Sequence, residues 1–132
     1  MPHVNLIAVL VCGVASLLLG GLWYSPVLFG KLWQRSAGLS DEQAKSGNMG
    51  LIFGGAFVLS LIAAYVFGMF LGQSMPLTGA VGAGFAAGLC WVAASFGINY
   101  LFERRPLSLW LVNGGYHTLQ FTLFGLILGL IR

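Results

Sequence analysis

Apolar residues run in four long blocks, about 4–24, 49–71, 77–102 and 107–131, and the formal charges stand in the joints between them or at the chain end. Crossing a hydrocarbon core of about 30 Å takes roughly 20 apolar residues in a helix, so each block has the length of a membrane span. None shows the period-two alternation of an outer-membrane strand. Irregular backbone facing lipid would leave its N–H and C=O groups unpaired, which leaves helices. The pattern predicts an all-α membrane protein in which residues 1–132 form a single four-helix transmembrane domain.

The joints differ in kind. Gln73, Ser74, Met75 and Pro76 make a tight uncharged hairpin, and Glu103, Arg104, Arg105 and Pro106 make a charged one with proline at a helix start. The long connection, 25–48, opens on Ser25 and Pro26, read as the cap and first-turn proline of a short helix. Leu28, Phe29, Leu32 and Trp33 would share one side of it, with Lys31, Gln34 and Arg35 on the other. That is the pattern of a helix lying in the headgroup plane. Ser40 with Gln43 three positions on predicts a capping box for a second short turn.

Composition narrows the class. Hydrophobic residues are 58% of the chain and charged residues 7%, whereas a soluble domain carries about 25% charged. Mean hydropathy is +0.92. A net charge of +3 in such a chain reads as a topology signal rather than a nucleic-acid footprint. Lys31, Arg35, Lys45, Arg104 and Arg105 fall on one side of the predicted spans and Arg132 on the other. Cytoplasmic loops carry the cation excess, so both termini are expected outside the cytoplasm. No Lys or Arg precedes the first block and no small-x-small signal follows it, so that block is expected to be retained as a helix. Trp23, Tyr24 and Trp33, with Tyr100 and Trp110, would form an aromatic belt at the cytoplasmic interface. Lys31, Arg35, Arg104 and Arg105 there would attract anionic lipid.

Twenty glycines in a membrane chain point to close helix contacts. The second block carries Ala56, Ser60, Ala64, Gly68 and Gly72 at i, i+4 spacing, and the third Ala80, Gly84 and Gly88. Such ridges let backbones approach. Two readings stay open: the ridges pack on each other within the chain, or one faces a second copy. Gly125 and Gly129 are open to the same two readings.

The polar residues inside the blocks are the candidate site. Asn113, Tyr116, His117 and Gln120 fall within about 100° of one another on a helix, and His117 lies roughly 15 Å along it from Leu107. Asn99 should reach a depth similar to that of Asn113, with Glu103 one turn further out. Lipid cannot satisfy these groups, so they should face protein or water. Asn99, Asn113 and Tyr116 could be cross-helix hydrogen-bonding groups. His117 is either another or a proton relay, although its only nearby acid, Glu103, stands at the edge beside Arg104 and Arg105. Cys12 and Cys90 read as small buried hydrophobes. No metal or cofactor is expected: His3 and His117 lie at opposite depths and no ligand set assembles. Nor is there a phosphate loop or a nucleophile with a base, so enzymatic activity is not expected.

Gly21-Leu22-Trp23-Tyr24-Ser25-Pro26, continuing Leu28-Phe29-Gly30-Lys31 to Trp33, resembles the signature of the bacterial membrane family catalogued as domain of unknown function number 1761. So does Asn99-Tyr100-Leu101-Phe102-Glu103-Arg104-Arg105-Pro106, followed by Leu111-Val112-Asn113-Gly114-Gly115-Tyr116-His117, and Asn5 also fits. Val112 and Gly114 stand where the family commonly has Ile and Ala. The resemblance implies a small four-helix protein of the bacterial inner membrane, and implies no activity. Two functions are then compatible with the residues. One is a homo-oligomeric permeation or transport protein for a small polar solute or ion, associating through its small-residue faces. The other is a structural or accessory subunit of a larger membrane complex, or a lipid-binding scaffold.

Overall fold

A computed structural model describes residues 3–132, which are helical with no strand among them. In chain order the elements are α1 (Leu6–Trp23), α2 (Gly30–Ala37), α3 (Asp41–Lys45) and α4 (Met49–Leu71). A continuous 27-residue helix, Leu77–Glu103, follows as α5 (Leu77–Ala86), a π-helical stretch (Ala87–Ala93) and α6 (Ala94–Glu103). The last element is α7 (Leu107–Leu130). Asparagines start two of the long helices: Asn5 Oδ1 accepts from the Ile7 and Ala8 amides at 2.9 and 3.3 Å, and Asn48 Oδ1 from Leu51 at 3.1 Å. Each satisfies donors that have no partner in the first turn.

Three helices, Leu6–Trp23, Met49–Leu71 and Leu77–Glu103, are long and apolar enough to cross a membrane. Their outer faces carry exposed Leu10, Val14 and Leu18, then Leu51, Leu59 and Phe70, then Ile98, Leu101 and Phe102. That dressing is compatible with a multi-pass membrane protein. Helix α7 differs because it carries the polar residues. It occupies the centre, packed against α1, α2, α4, α5, α6 and the π-helical stretch. A helix that must bury amides and an imidazole needs protein around it.

The small-residue ridges do not meet each other. Ala80, Gly84 and Gly88 turn toward α7, where a Cβ on Gly84 would stand 2.1 Å from the Phe121 carbonyl oxygen and one on Gly88 2.7 Å from that of His117. Gly125 answers from α7, where a Cβ would meet the Ala80 carbonyl oxygen at 2.1 Å. On α4, Ser60 bonds α7, Ala64 is buried in the core beside Val9 and Cys12, and Gly68 faces Val4 and Leu128. Gly84, Gly88 and Gly125 are spent on contacts within the chain, while Ala56 and Gly72 at the ends of the α4 series are exposed.

The long connection also departs from its expected form. Ser25 does not cap α2: its hydroxyl donates back to the Leu22 carbonyl at 2.6 Å. The chain turns through Ser25–Phe29 and α2 begins at Gly30, where a Cβ would lie 2.3 Å from the Tyr24 carbonyl oxygen. Helix α2 then packs on α7, with Ser36 and Ser108 hydroxyls paired at 2.6 Å and Trp33 edge-on to Tyr24 at 5.5 Å. Lys31 and Arg35 are exposed. The Ser40–Gln43 capping box is present at α3.

Arg104 ends α6 in the left-handed region, φ 56°, where a side chain crowds the following carbonyl and glycine is at ease. Its neighbour's amide, Arg105 N–H, closes the helix on the Tyr100 carbonyl at 2.9 Å, so the left-handed turn is what stops the helix. Arg104→Gly is expected to raise stability by up to about 1 kcal/mol, read as a higher unfolding midpoint in detergent.

Candidate functional site

The polar side chains of α7 form two tiers. In the tier nearer α2, Asn113 bridges two tyrosines from different helix ends. Tyr24 donates its hydroxyl to Asn113 Oδ1 at 2.6 Å, and Asn113 Nδ2 donates to the Tyr100 hydroxyl at 2.8 Å. Two indoles brace this tier against backbone. Trp23 Nε1 donates to the Val112 carbonyl at 2.8 Å, and Trp110 Nε1 donates to that of Ala93 at 2.8 Å. An amide with donors and an acceptor at opposite ends suits a bridge between two hydroxyls.

The deeper tier centres on Gln120, which is 5% exposed. Its Nε2 donates to Ser16 Oγ of α1 at 3.0 Å and to Ser60 Oγ of α4 at 3.3 Å. Its Oε1 is paired with His117 Nδ1 at 2.8 Å. One amide thus ties three helices. With Nε2 of Gln120 donating to both serines, Oε1 is left to accept, which puts a hydrogen on His117 Nδ1. Tyr116 adds a further tie, its hydroxyl donating to the Ser16 carbonyl at 3.0 Å.

Aromatic rings join the tiers. The Tyr24 and Tyr116 centroids are 5.5 Å apart, and those of Tyr116 and His117 are 4.9 Å apart, edge to face. His117 lies flat on Phe96 at 5.0 Å and 15°. Packed this way, the imidazole has its plane fixed from one side and one nitrogen fixed from another. Among the described residues no buried side-chain nitrogen or oxygen lacks a hydrogen-bond partner.

Asn113, Tyr116, His117 and Gln120 are therefore brought together, while Asn99 and Glu103 are not. Asn99 is exposed, and Tyr100 takes its expected place beside Asn113. The cause is the π-helical stretch. In a regular helix Asn99 would fall within about 20° of Gly88, facing α7. The wide turns insert an extra residue, so after Gly88 the positions meeting α7 are Ala93, Gly97 and Tyr100. A π-bulge shifts the phase of everything beyond it. Glu103 lies at the surface, 3.5 Å from Arg105, whose guanidinium also donates to the Ala37 carbonyl at 3.5 Å. Arg104 is exposed beside them.

Ser16, Ser60 and Tyr100 complete the network, and none was assigned to it from the sequence. A serine isolated in an apolar block was the available signal, but serines also satisfy themselves on their own helix. Trp23 and Tyr24, expected in an interfacial belt, each bond a residue of α7. Cys12 is buried and Cys90 is exposed, both as free thiols. No cluster of three or more His, Cys, Asp or Glu able to hold a metal occurs among the described residues.

A helix carrying polar side chains, held at the centre of long apolar ones, defines the class: a small helical bundle whose apolar core is crossed by a hydrogen-bonded network. The chain belongs to the family described as protein of unknown function (DUF1761), whose family model matches residues 7–129. No curated protein and no solved structure matches it.

Proposed function

We propose that the protein is a four-span membrane scaffold, a structural or accessory subunit, rather than a permeation protein. Helix α7 is its fourth span, α2 lies at the cytoplasmic headgroup level, and both termini are outside the cytoplasm. The cation bias of the loops supports that orientation. Lys31, Arg35, Arg104 and Arg105 then meet anionic headgroups of the inner leaflet.

One observation carries the choice of scaffold over pathway. The polar groups of α7 are paired with one another and with α1, α4 and α6, so that each buried one is already satisfied among the described residues. A conducting stripe needs groups that exchange partners with a passing solute or water. These groups hold helices together. His117 is the member least enclosed by that logic, since only its Nδ1 has a partner here. It is the residue through which a transport reading would act.

Purified protein reconstituted into sealed vesicles is expected to give proton leak and small-solute uptake indistinguishable from protein-free vesicles. His117→Ala is expected to leave both unchanged while lowering thermal stability. Flux above the protein-free level that His117→Ala abolishes overturns the scaffold and restores transport.

A further inference from the structure

We propose that the groove between α2 and the start of α3 binds the phosphodiester headgroup of one anionic phospholipid. Lys31 and Arg35, one turn apart on α2, line it together with Gln34, Leu39, Ser40 and Asp41 around about 540 Å³. Such a site rests on the placement of α2 at the headgroup level given above, and goes beyond it by giving two of the cations one shared ligand.

The observation behind it is a pair of cations left unneutralised although an acid stands in the same groove. Asp41 Oδ1 is held by Gln34 Nε2 at 2.7 Å, and neither Lys31 nor Arg35 pairs with it. Among the described residues the one ion pair is that of Arg105 with Glu103. Lys31 is also placed against local preference. It is the second residue of α2, near the positive end of the helix, where an acid would be favoured. Ser40 adds a third donor: its oxygen accepts from the Gln43 amide at 3.1 Å, which leaves the hydroxyl hydrogen for another acceptor. An ammonium, a guanidinium and a hydroxyl are the groups that phosphate oxygens take, and charged donors make the stronger bonds to them.

Charge and position select a lipid as the occupant. Two cations against one carboxylate leave the lining with a single positive charge. That matches the single negative charge of a phosphodiester better than a phosphomonoester's charge of roughly −1.5 to −2. The turn just before Lys31 presents Val27 and Leu28, 83% and 43% exposed, as apolar side chains for acyl chains to cover. A phospholipid offers both chemistries, and a soluble phosphate only the first.

The test is native mass spectrometry of the full chain in a neutral detergent, with phosphatidylglycerol and, separately, phosphatidylcholine added. One phosphatidylglycerol is expected to bind at least several-fold more tightly than phosphatidylcholine, whose choline cancels the phosphate charge. Lys31→Gln with Arg35→Gln should weaken it about 10- to 30-fold, each cation near anionic lipid contributing about a factor of five. A matched control, Lys45→Gln with Arg104→Gln, removes the same charge outside the groove and should weaken it less than about 3-fold. Asp41→Asn should tighten it about 2- to 5-fold, a gain that a misfolded variant does not give. Excess inorganic phosphate should not displace the lipid. Equal losses in the groove pair and the control pair overturn the proposal, the attraction then being general. So does equal binding of the two lipids, an Asp41→Asn that fails to tighten, or displacement by phosphate, which would make this a site for a free anion. Lipid binding is read independently of vesicle flux, so the site can fail while the scaffold assignment stands, and the reverse.

Discussion

Gly84→Ala is expected to destabilise the protein by about 3 kcal/mol, at the upper end of what overpacking costs. The added Cβ would stand 2.1 Å from the Phe121 carbonyl oxygen and 2.9 Å from its carbon. Those are backbone atoms of α7, so no side chain can swing aside and the helices must part. Gly125→Ala meets the same seam from the other side, 2.1 Å from the Ala80 carbonyl oxygen, and should lose a similar amount. The two losses should not add, because a single separation of α5 from α7 relieves both clashes. Gly54→Ala and Gly82→Ala are the controls: a Cβ at either meets nothing within 4 Å, and helix propensity favours alanine. Equilibrium unfolding in mixed micelles measures all four. Equal effects at Gly84 and Gly82 would remove close packing as the reason for the glycines.

Gln120→Leu is the second large effect. It removes the bonds to Ser16, Ser60 and His117 together. Interhelical bonds in membranes average about 0.6 kcal/mol each, so a loss of about 2 kcal/mol is expected. The imidazole loses the partner that fixes its hydrogen on Nδ1, and an NMR readout of the His117 ring should show both neutral forms populated. Asn99→Leu, by contrast, should leave the stability of the single chain unchanged, since that amide bonds nothing within it. If Gln120→Leu were neutral while Asn99→Leu destabilised, the inner and outer polar groups would have been assigned the wrong way round.

Much of this architecture is legible without coordinates. The block from Met49 to Leu71 is a helix over those residues, and the capping box at Ser40 and Gln43 forms as its spacing dictates. Both rest on local chemistry: length against bilayer thickness, and a side chain reaching a backbone amide a turn away. The cluster of Asn113, Tyr116, His117 and Gln120 was legible too, because residues on one helix keep fixed angles. Asn99 was not, since its side depended on carrying a regular 100° step across Ala87–Ala93, and nothing in Ala87-Gly88-Leu89-Cys90-Trp91-Val92-Ala93 announces a wider turn. Ser-Pro commonly starts helices, which predicts a forward cap at Ser25. The turn closed by Gly30 against Tyr24 sent its hydroxyl backward instead.

The sequence by itself determined that the chain builds long apolar helices, where each starts, and which polar groups share the face of α7. Those follow from interactions between near neighbours and from the solvent each stretch prefers. Only the tertiary structure decided which ridge meets which helix, that α7 takes the centre, and that Tyr100 rather than Asn99 answers Asn113. Partner choice depends on backbones approaching closely at Gly84, Gly88 and Gly125, and on one rotated helix segment. Those are properties of surfaces fitted together, which a linear pattern does not encode.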